Sequence, residues 1–248
     1  MEKIDLLSLV VPTYRQEKTI VKNIQALQDM LDLLLIPYEI IVVIDGQVDK
    51  TYEEVNKIKN KKIRIISYKE NLGKGNAVRT GMLQAKGDVI GFIDAGMEID
   101  PTGISMLLNH MIWYDADIVV GSKLHPVSQV EYPPFRKMLS WGYRSLNRVL
   151  FGLKVKDTQV GIKLYKRKVV KKVFPKLLVK QFAFDVETLA VAHALGFTRI
   201  YDAPIKLKFG KESSIKNTKY WIVVWSMLLD TAAVFYRVRV KKYYQNLK

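Results

Sequence analysis

Short apolar runs alternate along the chain with longer stretches in which apolar residues recur at helical spacing. The runs are rich in Val and Ile and predict buried strands at 6–11, 38–44, 63–67, 89–93 and 118–120. The stretches between them predict helices at 17–34, 49–59, 75–85 and 101–114. Strands joined by helical crossovers form a mainly parallel sheet that is covered on both faces. The pattern therefore predicts an α/β fold that binds its ligands beyond the carboxyl ends of the strands.

The pattern is less regular in the second half of the chain. Its predicted elements are helices at 135–151 and 184–195, a strand at 161–165, two short strands at 199–202 and 205–209, a loop at 210–216 and a final, mostly apolar helix. No internal repeat or clear linker interrupts the chain. We interpret residues 1–216 as one domain, with a first part at 1–121 and a second at 122–216, followed by a helical segment at 217–248.

Charge is the feature of the composition that changes this picture. The 248 residues include 40 Lys and Arg against 24 Asp and Glu, a formal net charge of +16, and the excess lies at 154–180 and 204–248. Such segments indicate an anionic partner, which can be nucleic acid, a phosphorylated substrate or an acidic membrane. The chain has no Cys and only 3 His. Disulfide scaffolds and thiolate zinc sites are therefore excluded, and a metal site built from His is disfavoured.

Two carboxylates, Asp45 and Asp94, directly follow predicted strands. Either one alone is typical of a turn or a helix cap. Together they predict a shared crevice, because the carboxyl ends of parallel strands meet at one edge of a sheet. The segment Gly73–Arg79 adds small residues and two cations at the start of a helix, where N–H groups attract phosphate. Its spacing matches neither the dinucleotide-binding nor the Walker pattern.

The order and identity of these motifs resemble family 2 glycosyltransferases, which have the GT-A fold, a Rossmann-like sheet flanked by helices. The resemblance rests on Val11-Pro-Thr-Tyr-x-x-Glu17, Ile44-Asp-Gly46, Gly73-Lys-Gly-Asn-Ala-Val-Arg79 and Asp94-Ala95. Segments at 120–123, 157–165 and 182–187 are similar to the branch that transfers a sugar to a polyprenyl phosphate. Within that branch, the chain looks most like dolichyl-phosphate β-glucosyltransferases, with dolichyl-phosphate mannose synthases next.

The resemblance implies inverting transfer of a hexose from a nucleotide-sugar to a polyprenyl or dolichyl phosphate at a membrane surface. UDP-glucose is the favoured donor and GDP-mannose is the next. Residues 1–121 would be the nucleotide-binding part and 122–216 the acceptor part. The residues implied in binding the nucleotide-sugar are Pro12, Tyr14, Glu17, Asp45, Lys74, Arg79, Asp94 and Ala95.

The implied cofactor is Mg²⁺ or Mn²⁺, and at its site the chain departs from the family pattern. Asp94 would be the first carboxylate of the family's Asp-x-Asp, which holds the metal on the diphosphate. Gly96 stands where the second Asp is usual, and Glu98 lies two residues further on. Either Glu98 supplies the missing oxygen, or the metal is held more weakly, or the protein has lost activity.

Three residues of the second part are implied in catalysis beside the donor sugar and the acceptor. They are Lys123, Asp157 and Gln159. Lys123 replaces the usual Arg, which keeps the charge but loses the bidentate guanidinium. For Asp157 there is a structural alternative, which is relief of charge among Lys154, Lys156 and Lys163.

The final helix predicts contact with a membrane. Residues 221–236 are apolar nearly all round apart from one narrow polar stripe, and the chain then becomes basic and aromatic. Trp and Tyr favour the depth of the lipid headgroups, and Lys and Arg are attracted to anionic lipid, so we expect an amphipathic helix lying in the interface. The alternative is a core helix with a solvated tail. The residues predicted to contact the acceptor or the membrane are Lys211, Ser213, Trp221, Trp225, Arg237, Arg239, Lys241 and Lys242.

The sequence thus predicts an enzyme that is peripheral on the cytoplasmic face of a membrane. Its partners would be a nucleotide-sugar, a polyprenyl-phosphate lipid and an anionic membrane surface, without nucleic acid, and the final helix is a candidate contact between copies of the chain. Three alternatives are left open: a catalytically impaired scaffold, a transferase with a different glycan acceptor, and a basic nucleic-acid-binding protein.

Overall fold

The computed structural model describes residues 4–128, 134–207 and 220–247, and this part of the chain forms a seven-stranded sheet with helices around it. The strands are β1 (Leu7–Thr13), β2 (Tyr38–Asp45), β3 (Ile63–Tyr68), β4 (Val89–Ile93), β5 (Ile118–Ser122), β6 (Ile162–Lys166) and β7 (Ile200–Pro204). The helices are α1 (Ile20–Asp32), α2 (Thr51–Asn56), α3 (Lys74–Gln84), α4 (Gly103–Trp113), α5 (Pro134–Phe151), α6 (Arg167–Val173), α7 (Phe184–Ala194), α8 (Tyr220–Phe235) and α9 (Tyr243–Asn246).

The strand order across the sheet is β3-β2-β1-β4-β6-β5-β7. All neighbours are parallel except at β6, which pairs antiparallel with both β4 and β5. The predicted α/β fold with a mainly parallel sheet is therefore confirmed. The reversal of β6 was not predicted, because a central strand is buried on both faces in either direction and shows the same apolar pattern.

Two predicted elements in the second half of the chain differ from the structure. The stretch at 205–209 does not form a strand in its described part, where Leu207 makes a single bridge to Ile99. The final segment is not one continuous α-helix. Helix α8 ends at Phe235, Tyr236–Val240 form a π-helical turn, and α9 follows. Helix α6 and the 3₁₀ turn Phe174–Lys176 were not predicted, because they lie in a stretch that stands out by its lysines rather than by its apolar spacing.

Helix α3 lies directly on the sheet because it carries Gly81. A Cβ atom at this position would lie 2.4 Å from a methyl carbon of Val10 and 2.9 Å from one of Val43. Only glycine therefore lets the helix approach β1 and β2 this closely. The close approach places the first turn of α3 beside the carboxyl ends of those strands.

The final segment packs on the protein through one face only. Val234, Val238 and Tyr244 are buried, whereas Trp225 and Leu229 are 64% and 67% exposed. Apolar residues thus lie on both faces of the segment, so the structure does not show the predicted amphipathic character. No helix within the described residues is long and apolar enough to cross a membrane.

Candidate active site

The carboxyl ends of β1, β2 and β4 lie side by side, and the space beyond them is called the crevice here. Strand β1 pairs with β2 on one side and with β4 on the other, so Asp45 at the end of β2 and Asp94 just after β4 flank the end of β1. From β1 the chain continues to β2 and β3 on one side of the sheet, whereas β4 and the later strands lie on the other side. The carboxyl end of β1 is therefore the topological switch point, where open α/β sheets bind their ligands. The prediction that both carboxylates lie at one edge of the sheet is confirmed.

Asp45 holds the loop that precedes α3. Its side chain is buried and accepts the backbone N–H of Leu72 at 2.8 Å and of Gly73 at 3.0 Å. The side-chain amide of Asn71 donates to the same carboxylate at 3.1 Å. This is the turn-stabilising role left open for Asp45, and its contact with a nucleotide stays a prediction.

The glycines at the start of α3 make room for the chain around Lys180. Gly73 has φ +101°, and a Cβ there would lie 2.5 Å from the carbonyl oxygen of Lys180. A Cβ on Gly75 would lie 2.6 Å from the Cβ of Phe184. The N–H groups of Gly73 and Asn76 already donate to Asp45 and to the Lys180 carbonyl. Close packing therefore accounts for both glycines, and protein groups take two of the donors of this turn. Binding of a phosphate by the remaining N–H groups stays a prediction.

Asp94 forms an ion pair with Lys74 at the mouth of the crevice. The ammonium nitrogen is 2.7 and 2.9 Å from the two carboxylate oxygens. The Asp94 N–H donates to the carbonyl of Gly161 at 2.9 Å, and a Cβ on Gly161 would lie 2.0 Å from the carboxylate. Burial disfavours the charge on Lys74, but Asp94 and Asp185 outweigh it and raise the pKa of Lys74. The side chain of Asp94 is 42% exposed but its Oδ1 atom is buried, so a ligand can approach only the exposed part of this side chain.

The turn after Asp94 offers oxygen donors for a cation but no complete site. Gly96 is exposed, and a Cβ there would meet no atom within 4 Å. Glu98 is exposed on the same turn, and Ala95 is buried with its carbonyl accepting the Asn23 amide at 2.8 Å. Over the described ranges, no three His, Cys, Asp or Glu side chains form a group that could hold a metal. Asp94 and Glu98 therefore suit a hard divalent cation only if the ligand or water supplies further oxygens.

A buried ion pair lies behind Lys74. Lys163 of β6 and Asp185 of α7 are paired within the core, and Lys163 also donates to the carbonyl of Val160 at 2.9 Å. The ammonium groups of Lys163 and Lys74 lie 5.1 and 5.8 Å from the ring centroid of Phe92. Burial raises the pKa of Asp185 and lowers the pKa of Lys163. Charges therefore alternate from Asp94 through Lys74 and Asp185 to Lys163.

Two of the implied catalytic residues lie in the loop before β6, whose last residue, Gly161, contacts Asp94. The carboxylate of Asp157 accepts the Gln159 N–H at 3.2 Å, and the Gln159 amide lies 3.8 Å from the sulfur of Met227 in α8. Lys163 pairs with Asp185 instead of Asp157, and no cation of the described residues lies within 4 Å of the Asp157 carboxylate. The charge of Asp157 nevertheless favours the charged form of Lys163, so relief of charge among these lysines and the catalytic role both stay predictions.

Asp202 of β7 anchors the same loop. Its two oxygens accept the backbone N–H of Lys156 at 3.1 and 3.0 Å. Burial raises the pKa of Asp202 to about 6, with a further contribution from the nearby charge of Asp157. This anchor was not predicted, because the contact joins residues 46 positions apart.

We expect Asp202 to make stability pH-dependent. Its folded pKa of about 6 exceeds the unfolded value of about 3.9, so the folded protein binds more protons between these values and the contribution of Asp202 to stability falls as the pH rises through this window. We expect urea unfolding at pH 4, 5, 6 and 7 to show that the free energy of unfolding of the wild type falls from pH 4 to pH 7 by on the order of 1–2 kcal/mol more than that of Asp202→Asn. A difference that is constant with pH would contradict this prediction.

The predicted nucleotide residues of β1 and the following loop line one side of the crevice. Pro12 is buried within β1, and the ring of Tyr14 is 40% exposed with the Arg15 guanidinium 5.2 Å from its centroid. Glu17 accepts the backbone N–H of Lys50 at 3.1 Å. An open pocket adjoins these residues and is lined by Arg15, Gln16, Glu17, Lys18, Thr19, Val48 and Asp49.

Two predicted cations have different surroundings. The guanidinium of Arg79 donates to the carbonyls of Phe174 and Pro175, both at 2.9 Å, so it fastens α3 to the turn after α6. Lys123 is half-buried just after β5. The contacts of these residues with a nucleotide-sugar stay predictions.

The predicted acceptor and membrane residues fall into three groups. Trp225, Lys241 and Lys242 are exposed. Arg237 lies 3.9 Å from Glu187, and Arg239 donates to the carbonyl of Leu150 at 3.2 Å. Outside the described residues lie Lys211, Ser213 and the side chain of Trp221.

Comparisons with known proteins agree with this fold. The family model for glycosyl transferase family 2 matches residues 8–174. The dolichyl-phosphate beta-glucosyltransferase of Drosophila melanogaster is 31% identical over 87% of this chain and 70% of its own, and the human enzyme of that name is 30% identical with the same coverage. The crystal structure of Mycobacterium tuberculosis glucosyl-3-phosphoglycerate synthase with Mn²⁺, UDP and phosphoglyceric acid aligns with a TM-score of 0.69 at 17% identity, covering 94% of this chain and 78% of that one.

Proposed function

Because the chain belongs to glycosyl transferase family 2, we propose that this glycosyltransferase transfers glucose from UDP-glucose to dolichyl phosphate or a related polyprenyl phosphate at a membrane surface. The observation that carries the proposal is the partly exposed Asp94–Lys74 pair at the carboxyl ends of β1 and β4. The relatives at about 30% identity are named dolichyl-phosphate beta-glucosyltransferases, which supports glucose as the sugar and dolichyl phosphate as the acceptor.

The donor would lie across the carboxyl ends of β1 and β4. The exposed ring of Tyr14 offers a stacking surface for the base, and the Lys74 ammonium beside Asp94 offers positive charge for the diphosphate. Asp94 and Glu98 would hold a divalent cation together with diphosphate oxygens. When bound, such a cation would stabilise the charge that develops on the leaving nucleoside diphosphate.

The acceptor phosphate does not need a strong general base to become a nucleophile. A phosphate monoester has a second pKa of about 6, so its oxygen is already ionised near neutrality. In-line attack by this oxygen forms a bond to the anomeric carbon while the carbon–oxygen bond to UDP breaks, so the configuration inverts and UDP leaves. Asp157, Gln159 and Lys123 would then position the sugar and the acceptor phosphate, and proximity supplies much of the rate.

The proposal is tested by a transfer assay with UDP-glucose, UDP-galactose and GDP-mannose, each with dolichyl phosphate, Mn²⁺ and vesicles. We expect a β-linked lipid-phosphate glucose from UDP-glucose and much less product from the other donors. A thermal-shift panel of the same nucleotides checks binding independently, since a ligand at 100 times its Kd stabilises by about 2.7 kcal/mol. Binding of UDP without transfer to any lipid phosphate would overturn the acceptor, and transfer from GDP-mannose alone would overturn the donor.

The membrane part of the proposal rests on an apolar stripe on the exposed face of the final segment. Trp225, Leu229, Tyr236 and Val240 are all at least 48% exposed and follow one another at spacings of about one or two helical turns. Basic residues lie exposed beside the end of the stripe, namely Arg239, Lys241 and Lys242. Each cation near an anionic leaflet contributes about 1 kcal/mol. The stripe and its cations therefore suit the interface of an anionic membrane.

We expect the double variant Trp225→Ser, Leu229→Ser to lose most of its binding to anionic liposomes while keeping its thermal stability, because both side chains are exposed. Burying an exposed Trp and Leu in the interface contributes roughly 3 kcal/mol or more, so co-sedimentation should weaken about a hundredfold. Deleting residues 217–248 is a less suitable test, because it would also remove the buried Val234, Val238 and Tyr244.

The matched control is Leu33→Ser, Trp113→Ser. These two side chains are 81% and 68% exposed, but they lie at or just after the ends of α1 and α4, at the sheet edge where β2 and β5 begin, away from the crevice. The control variant should bind liposomes like the wild type. Equal losses in the two double variants, or none in either, would contradict docking through the stripe.

A further inference from the structure

We propose that Glu187 is a positioning residue that ties the end of the final segment (Tyr236–Leu247) to the first turn of α3, and through it to Lys74. The inference rests on the proposed function in one respect, that Lys74 serves the nucleotide-sugar. The tie itself is a property of the folded chain and can be measured without substrate.

Glu187 lies in the centre of a contact between three parts of the protein. Its side chain on α7 is fully buried. One carboxylate accepts the backbone N–H of Leu178 at 3.0 and 3.1 Å, the N–H of Val179 at 2.8 Å and the hydroxyl of Tyr244 at 2.5 Å. The guanidinium of Arg237 lies 3.9 Å away. A carboxylate this buried is costly unless such donors surround it, so loss of any of them should loosen the others.

The tie continues from the Glu187 contacts to the donor site through residues 178–181. The carbonyl of Lys180 accepts the N–H of Asn76 in α3 at 3.2 Å. The Gln181 amide also lies against Gly73, since a Cβ on Gly73 would be 2.7 Å from its nitrogen. The loop and the turn are thus in contact without intervening space, and movement of one requires movement of the other.

The other end of the tie leads to the apolar stripe. Tyr244 is fully buried in α9, and Arg237 belongs to the π-helical turn that continues α8. The carbonyl of Leu247 also accepts a hydrogen bond from Lys176, just before the Glu187-bound loop. The final segment, which carries the stripe, is therefore connected to the donor site through the contacts of Glu187. A shift of this segment on the membrane would change the position of Lys74.

The test compares Tyr244→Phe with Tyr243→Phe in the full chain. Tyr243 is the adjacent tyrosine and is 39% exposed, so it controls for the loss of a hydroxyl in α9. Hydrogen exchange should become roughly tenfold faster at Leu178, Val179 and Asn76 in Tyr244→Phe only. The KM for UDP-glucose should rise roughly three- to tenfold while kcat changes less than about twofold, because a bound donor restores the turn.

Two results would overturn the tie. Faster hydrogen exchange at Leu178 and Val179 but not at Asn76 in Tyr244→Phe would show that the loop does not hold α3. A lower thermal midpoint with an unchanged KM would show that Tyr244 only stabilises the fold. Glu187→Gln keeps the size of the side chain and should cause the same pattern with larger changes. If the wild type binds no UDP-glucose, the proposed donor fails, and the exchange rates still decide whether Glu187 ties the segment to α3.

Discussion

Asp94→Ala is expected to lower kcat/KM for sugar transfer by roughly a thousandfold or more. The substitution removes the partly exposed carboxylate of the crevice and the partner that holds the Lys74 ammonium at 2.7 Å. Calorimetry should show little Mn²⁺ uptake by the nucleotide-free protein, because Asp94 and Glu98 leave most of the coordination shell to other ligands. Uptake should become clear when UDP is present, and Asp94→Ala should lose it.

Gly96→Asp is expected to have the opposite effect on Mn²⁺ binding. A side chain at position 96 would meet open space, and the backbone there does not adopt a positive φ, so the turn can keep its shape. We expect tighter Mn²⁺ binding in the presence of UDP, whereas Glu98→Ala should weaken it if Glu98 is a ligand. Tight Mn²⁺ binding without nucleotide, or full activity of Asp94→Ala in a chelator, would show that the metal site has been assigned wrongly. Wild-type transfer, in turn, would exclude the impaired scaffold that Gly96 suggests.

Asp157→Asn is expected to lower kcat by roughly one hundred- to one thousandfold and to change the affinity for UDP by less than about threefold. Asn keeps an oxygen that can accept the Gln159 N–H, so the loop should retain its shape while the negative charge is lost. Steady-state kinetics and calorimetry with UDP separate the two effects. Asp202→Asn is the matched control, because it removes a carboxylate from the anchor of the same loop. A folded Asp157→Asn protein with wild-type turnover would contradict the catalytic assignment.

The strands and most helices could be predicted because their residues contribute to a pattern that repeats over short distances. Val89–Ile93 lies where the apolar run indicates it, and the helices between the early strands differ from prediction mainly at their ends. The direction of β6 and the π-helical turn at Tyr236–Val240 leave no such pattern. Strand direction depends on which neighbour the chain finds in space, and a local change of helix type depends on packing around it.

The residues of the candidate site likewise include some that local sequence patterns predict and some that they do not. Asp45 and Asp94 could be placed at one edge of the sheet because each follows an apolar run, and the carboxyl ends of parallel strands lie at the same edge. The pairs Lys163–Asp185 and Glu187–Tyr244 could not, since they join residues 22 and 57 positions apart. A signal for the first pair did exist, because a lysine inside a strand that is buried on both faces requires a buried acid nearby.

The antiparallel strand β6 also has a consequence for the order in which the protein can be completed during synthesis. Strands β3, β2, β1 and β4 can pair as soon as they leave the ribosome, but the next strand along the chain, β5, does not pair with β4. The open edge of β4 must wait for β6, whose preceding Gly161 accepts the Asp94 N–H. Such long-range pairing is slow, and an unpaired strand edge is prone to aggregation. A nascent chain that ends before β6 therefore carries all the residues of the Asp94–Lys74 pair and still lacks the surface on which that pair rests.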